Sequence, residues 1–533
     1  MAEIEAELHR RINSQMKRFR RHYKAFLDDD IEIDPIDSLT TLDSLLDVVV
    51  ASGYKLYLFI DEYDNFANEV MMNVQQRSHR DYESLVTGEG MFKTFFKNIK
   101  SVGGGDGLDR VFITGVTPIV MNDVTSGANV FDDIYWFDWF NDLCGFWEHE
   151  VADMLSGVLD ERGISPKQHA AKHAEALDMM RTHYDGSWFT PEIEPPAKLA
   201  STDSRLYNPT MVFYFLRYLQ RTGAYPEEML DRNLKADRGK LKYIASYSSG
   251  REVLVKALNT EQEVGVHRIG TEFGADELLQ DDMRQGRLAS LLCYLGALTL
   301  NGKVLGQIRL IIPNLVMAET YAERILAMTF AHTKILEQAA QAAEALFLQG
   351  DIEPVCDFIE ANHMAVYSNR DYPEFKELTL KSIFVAMLYH HPDYIMHSEP
   401  ELNRRYGDLV MLLRPNVQTS GLFNLLFEFK QLALNKIVEA DVEGDEETDE
   451  KKYEKKKRVN KAPLKGSEVK EKSRDELLEI PAVHNAITEA ETQLQHYQRV
   501  LRDQYGSDLN LSSFAVVGVG VERVAWKKLK VKS

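Results

Sequence analysis

The segment Arg405 to Gln431, RYGDLVMLLRPNVQTSGLFNLLFEFKQ, constrains this chain more than any other. It holds two apolar runs of strand length joined by a turn-rich link. Asp408 opens the first run, and Glu428 with Lys430 closes the second. Side chains two apart on a strand share a face, so Glu428 and Lys430 point the same way, and a hairpin brings Asp408 alongside. Two carboxylates and a lysine at one sheet edge are what metal-dependent phosphodiester hydrolysis needs. The acids suit a hard cation such as Mg²⁺ or Mn²⁺, the metal makes bound water more acidic, and the lysine positions the nucleophile or offsets developing charge. The same pattern also fits an edge strand whose Glu and Lys are solubilising charges.

A length of 533 residues exceeds one hydrophobic core and points to two to four domains. No run approaches the roughly 18 apolar residues of a membrane span. The start, MAEIEAELHRRINSQMKRFRRHYKAF, is charged and helical in pattern, unlike a secretory leader. Cys144, Cys293 and Cys356 are odd in number and far apart, which fits neither a disulfide framework nor a zinc site. These features place the chain in a reducing compartment, cytoplasm or nucleus, with no membrane partner. A net charge of -21 repels nucleic acid at long range, so any such contact must rest on a local basic surface.

A second constellation lies upstream. Lys55 to Ile60 is a compact apolar run closed by Asp61 and Glu62, the form of a buried parallel strand delivering acids at its C-terminal end. A second run, Arg110 to Thr114, follows a helical stretch, so a parallel α/β sheet is expected with Asp61 and Thr114 at the same edge. An apolar run ending in Asp-Glu is a Walker B form, in which the Asp helps hold Mg²⁺ and the next acid orients water. Buried strands also end in acids for packing reasons alone. A nucleotide site further needs G-x-x-x-x-G-K-[ST], and nothing before Asp61 supplies it. The nearest run, Thr87 to Thr94, has Phe92 where the second glycine belongs.

Several blocks taken together resemble the AAA-ATPase-like family found ahead of PD-(D/E)XK nuclease domains. They are IDEYDNFANEV, VFITGVTPIVMNDVTSGANVFDDI, Gly145-Phe146, HYDGSWF, YNPTMVFYFL, YLGALTL and IIPN, in order from about residue 40 to 330. The resemblance implies Walker B acids at Asp61 and Glu62 and a sensor-like polar residue at Thr114. Tyr184-Asp185-Gly186 and Tyr207-Asn208-Pro209 read as turn chemistry. The missing loop argues against ATP as a cofactor, unless a phosphate-binding segment lies outside the chain given.

The C-terminal part resembles the PD-(D/E)XK superfamily. Glu377 sits on an amphipathic helix (about 374 to 390), YIMHSEPELNRRYGDLVML resembles the lead-in to the catalytic strand, and AETQLQHYQ is similar to its A-x-x-Q helix. Gly407 replaces the proline of the name. The resemblance implies metal ligands Glu377, Asp408 and Glu428, with Lys430 and Gln493 completing the catalytic face; Tyr497 reads as a packing residue. His390, His391 and His397 read as surface or loop residues.

The expected architecture is α/β throughout. Residues 1–235 form a truncated, P-loop-NTPase-like parallel-sheet domain and 236–345 its helical extension. Residues 346–533 form a restriction-endonuclease-like domain with a disordered charged insertion at 439–474, whose basic part, 451–474, could contact phosphates. The expected function is Mg²⁺-dependent cleavage of nucleic acid, DNA or RNA, with the ATPase-like half as a regulatory module. The alternative is a non-catalytic interaction protein with both halves degenerate. Self-association is a further expectation.

Overall fold

The computed structural model describes residues 2–64, 91–102, 107–116, 118, 132–191, 205–230, 248–258, 264–271, 273, 285–329, 333–362, 364, 377–389, 393–398, 408–414, 421–437, 463–506 and 509–529. Helices α1 (Ala2–Tyr23) and α2 (Ser38–Ala51) precede β1 (Leu56–Ile60), and α3 (Met91–Val102) leads to β2 (Leu108–Ile113). Asp37 caps α2 by accepting from the Leu39 amide, satisfying one of the free donors of the first turn. β1 and β2 pair in parallel, Ile60 opposite Ile113. The pairing matches the sequence expectation, but the two-sided burial does not. Alternate residues face solvent: Tyr57 is 60% exposed, Phe59 70% and Phe112 40%. An apolar run reports strand formation without reporting whether one face or both are covered.

The middle of the chain is helical first: α4 (Glu148–Glu161), α5 (Pro166–Tyr184) and α6 (Pro209–Thr222) enclose a core that includes Val151, Leu155, Met180, Tyr184, Tyr207 and Phe215. Glu148 fastens this bundle, taking two 2.7 Å bonds from Arg181 and one of 2.9 Å from the Tyr207 hydroxyl. Asn208 caps α6 through the Met211 amide, so the Tyr-Asn-Pro block is turn chemistry as expected. Gly186 has φ +132°, and a Cβ there would lie 2.0 Å from the Pro313 carbonyl oxygen, so only glycine fits.

Beyond this come α7 (Ser248–Leu258), β3 (Val264–Val266), α8 (Gln285–Tyr294), β4 (Thr299–Val304), β5 (Gln307–Ile311), α9 (Leu315–Thr329), α10 (Thr333–Gln349) and α11 (Glu353–Asn362). The stretch expected to be mainly helical therefore also holds a three-stranded antiparallel sheet, order β3-β5-β4. Its strands are three to six residues long, too short for a period-two signal to stand out, and β3 and β4 are interrupted by glycine.

The C-terminal unit is built on a five-stranded sheet, order β10-β9-β8-β7-β6. Its elements are α12 (Glu377–Leu388), β6 (Tyr394–Ser398), β7 (Leu409–Leu413), β8 (Asn424–Leu432), α13 (Gly466–Glu471), α14 (Arg474–Glu479), α15 (Pro481–Tyr505), β9 (Leu511–Val519) and β10 (Arg523–Lys528). β6 pairs with β7 and β7 with β8 in antiparallel fashion, while β8 and β9 are parallel. Parallel neighbours need a long crossover, and α15 is part of it. Strand alternation sorts the two faces. Leu409, Met411, Phe427, Phe429 and Phe514 join the core that holds Leu380 and Phe384 of α12, with Phe384 and Phe429 rings 5.1 Å apart. Val410, Leu426, Ala515 and Val517 join Ile487, Ala490, Leu494 and Tyr497 of α15. The result is a three-layer helix–sheet–helix sandwich. Tyr497 is a packing residue, 2% exposed.

Two expectations need correction here. β10 extends the sheet past the last strand foreseen. The charged insertion is also ordered from residue 463 onward, while 439–462 lies outside the described residues. Arg474, the last residue of the insertion's basic part, is engaged within the fold. Its guanidinium donates to the Val524 carbonyl (3.1 Å), to Asp357 (2.8 Å), to Glu360 (3.3 Å) and to Glu353, pinning α14 to α11 and β10. Removing it takes the shared cation from three acids on one face of α11, of which Glu360 is largely buried at this seam. Arg474→Ala should cost about 2–4 kcal/mol, read as a lower urea midpoint of the C-terminal unit; an unchanged midpoint would mean that Arg474 does not hold the seam. Cys144, Cys293 and Cys356 are all free. Among the described residues no helix is long and apolar enough to cross a membrane.

Candidate functional site

β7 and β8 pair with Leu409 opposite Phe427, which sets Asp408 beside the point where β8 passes through Glu428. The first six residues of β8 are buried, and its last three emerge partly toward solvent. Glu428 therefore lies just inside the core and Lys430 at its rim, on the face that α15 covers. The Lys430 ammonium donates to Glu428 Oε1 at 3.0 Å. Asp408 is held by backbone: its Oδ2 accepts from the Phe429 amide at 2.6 Å. Its Oδ1 lies 4.0 Å from Lys381 Nζ, on the α12 side.

Two carboxyls, Asp408 and Glu428, lie close together where burial disfavours the charged form. Burial, reinforced by the neighbouring Asp408 carboxylate, pushes the Glu428 carboxyl up to about 8 despite Lys430. Burial works against the Lys430 ammonium, but Glu428, Glu377 and Asp408 outweigh it and raise its proton affinity. Glu377, the first residue of α12, is near enough for its charge to act on both. Glu428 Oε2 is buried and accepts no hydrogen bond.

That oxygen is the test of whether the residues suit a divalent cation. A buried carboxylate oxygen without a donor is a costly arrangement, and a cation beside Asp408 and Glu428 would satisfy it and favour the charged form. The donor set, hard carboxylate oxygens, is what Mg²⁺ and Mn²⁺ take. The residues fit such an ion, although among the described residues no group of three or more His, Cys, Asp or Glu is arranged to hold a metal.

Gln493 lies on α15, a turn from both Ala490 and Tyr497, which pack on the sheet. Its amide oxygen is buried and without a hydrogen-bond partner. Lys381, 4% exposed, is the site residue that sequence reasoning missed. The signal was present: Lys381 follows Glu377 by four positions on one helix, which places both on the same face. His390 and His391 lie outside the described residues.

At the N-terminal sheet, Asp61 and Thr114 meet at the C-terminal ends of β1 and β2, where the Thr114 hydroxyl donates to Asp61 Oδ1. The Thr114 amide also donates to the Ile60 carbonyl at 2.8 Å, continuing the ladder past the strands. Glu62 is exposed, with φ +53°, a left-handed conformation uncommon for glutamate and of the kind that clusters at functional sites. Asp64 is 1% exposed and accepts from the Val116 amide at 3.0 and 3.1 Å, tying the two strand ends together. Sequence reading passed over it because Asp61 and Glu62 explained the acidic cluster.

The family model described as a predicted AAA-ATPase matches residues 1–125, a span that holds Asp61, Glu62 and Thr114 and ends well before Asp408. No curated protein and no solved structure matches the chain.

Proposed function

We propose that the C-terminal unit hydrolyses phosphodiester bonds of nucleic acid with a divalent cation, and that the ATPase-like N-terminal part serves as a regulatory or scaffolding module. One observation carries the first half of this reading: the buried Glu428 carboxyl, forced upward beside Asp408, with one oxygen that no protein donor reaches. Asp408 and Glu428 would hold Mg²⁺ or Mn²⁺, with Glu377 adding negative charge nearby. The bound ion supplies a more acidic water and charge neutralisation on the phosphate.

The chain's own residues do the rest. The Phe429 amide and Lys381 hold Asp408 in a fixed orientation before any substrate arrives. Lys430, at the rim, orients the attacking water and offsets charge that builds on the phosphate oxygens. Gln493 offers an unengaged carbonyl oxygen from α15 that can accept from that water. The order of the unit supports the same reading, since α12 brings Glu377, and the paired strands β7 and β8 bring Asp408, Glu428 and Lys430, close enough for their charges to act on one another. The test is cleavage of single- and double-stranded DNA and RNA by the full chain with Mg²⁺ or Mn²⁺; no product from any of them refutes the proposal.

A non-catalytic reading is favoured by one contact, the 3.0 Å bond that lets Glu428 and Lys430 satisfy each other as a structural ion pair. The two readings separate on metal binding, which a purely structural pair does not require.

For the N-terminal module, Asp61, Glu62 and Thr114 supply the acidic and polar end of a nucleotide site. No G-x-x-x-x-G-K-[ST] sequence occurs in the chain to cradle phosphates. The expected result of calorimetry is binding of MgATP weaker than about 1 mM, less than about 4 kcal/mol of binding free energy. Micromolar affinity would point to a phosphate cradle of another kind.

A further inference from the structure

The solvent face of α1 is basic in a chain whose net charge is -21. The run Lys17 to Lys24, KRFRRHYK, holds five Lys or Arg and no acid. Buried Asn13 and Met16 define the packed side of α1, and Lys17, Arg18 and Arg21 are exposed around it in the last two turns, with Lys24 in the turn just past the helix end. All four are exposed. Arg20 is taken by Asp30, and Arg10 and Arg11 are taken by Glu7. Among the described residues Lys17, Arg18, Arg21 and Lys24 make no hydrogen bond or ion pair, and a shallow depression between Arg18, Phe19, Arg21 and His22 opens beside them. Asp28 and Asp29 are the nearest further acids in sequence, and they lie beyond the helix end.

Aromatic rings adjoin these cations. Tyr23 is 42% exposed and Phe26 60%, their rings 6.4 Å apart, with His22 edge-on to Tyr23 at 4.7 Å. Cations that track a phosphate backbone beside exposed rings that can stack on bases are the two components of single-strand binding. An anionic membrane also attracts basic helices, but it takes them by their apolar face, and here that face is packed into the protein core through Met16. We propose that the C-terminal end of α1 and the turn after it, bearing Lys17, Arg18, Arg21 and Lys24 with Tyr23 and Phe26, form a docking surface for single-stranded nucleic acid. It deepens the nuclease reading by adding a holding site away from Asp408 and Glu428, and it explains how a strongly acidic chain keeps such a substrate.

The test uses the full chain in EDTA, so that no divalent cation is present and cleavage plays no part. Binding of a fluorescent oligothymidylate is followed by anisotropy across a salt series. Lys17→Gln, Arg18→Gln, Arg21→Gln and Lys24→Gln combined should weaken binding at least about tenfold and reduce the slope of log K against log salt by about 3, near 0.7 per lost phosphate contact. Circular dichroism should show α1 intact, because all four side chains are exposed. Tyr23→Ala with Phe26→Ala should weaken binding and leave the slope unchanged. An unchanged slope in the fourfold variant, no binding by the unaltered chain, or a loss confined to phosphatidylserine vesicles would overturn the proposal. A chain that binds through α1 but cleaves nothing supports this surface while counting against the site at Glu428.

Discussion

Lys430→Ala should lower the rate of nucleic-acid cleavage by at least about a hundredfold, the usual consequence of removing one positioned charge from a site where negative charge develops. The side chain lies at the rim of the sheet, 20% exposed, and among the described residues its one hydrogen bond is to Glu428. Its loss should therefore leave the fold in place, with an unfolding midpoint close to that of the unaltered chain. Substrate affinity should change far less than turnover, since Lys430 is assigned to the reacting centre and not to holding the strand. A variant that keeps more than about a third of the rate would remove Lys430 from the chemistry. Parallel collapse of the unfolding midpoint would instead mark the Glu428–Lys430 bond as structural.

Glu428→Gln should have the second largest effect, and of opposite sign for stability and for metal response. The Glu428 carboxyl sits near 4.5 in an open chain and is raised to about 8 in the fold, chiefly by burial and then by Asp408. Between those values the folded state holds a proton that the unfolded state has released. Stability of the metal-free protein should accordingly fall as pH rises through this window, by up to about 1.4 kcal/mol per pH unit, and level off above pH 8. Glutamine carries no such charge, so the variant should lack that fall and be the more stable of the two at pH 9 without metal. Bound Mg²⁺ or Mn²⁺ should protect the unaltered chain in the same pH range and do nothing for the variant. Metal binding should also release close to one proton below pH 8, with affinity rising about tenfold per pH unit there. Equal pH profiles for the two proteins in EDTA would show that Glu428 is not held in its uncharged form by the fold.

The C-terminal unit was the more legible half of the chain, for a physical reason. LVMLL and LLFEF are continuous apolar runs of strand length, and such runs mark central strands. The period-two rule then sets Glu428 and Lys430 on one face without further information. Lys381 escaped notice because it stands inside LTLKSIFVAML, where one cation among apolar residues reads as an exposed helix position. It is buried because Asp408, about thirty residues later, sits against it. β10 was missed because RVAWKK is short and mixes apolar with charged residues, as an edge strand does. Arg474 was grouped with a basic tail on charge alone, whereas its partners Glu353, Asp357 and Glu360 come from more than a hundred residues upstream. At the N-terminal sheet the parallel pairing was readable from two similar runs. The exposure of Tyr57, Phe59 and Phe112 was not, because cover is a property of neighbouring layers and not of the strand.

The central claim is tested most directly by incubating the full chain and its Asp408→Asn variant with single- and double-stranded DNA and RNA, in EDTA, Mg²⁺ and Mn²⁺ in turn. Asp408 is chosen because its carboxylate is already fixed by the Phe429 amide, so asparagine preserves shape while removing the charge that a divalent cation needs. The expected result is cleavage of at least one substrate by the unaltered chain, dependent on the cation and lost in Asp408→Asn. Cleavage at the same rate by both proteins, or no cleavage by either under any of these conditions, would contradict a phosphodiesterase site at Asp408, Glu428 and Lys430.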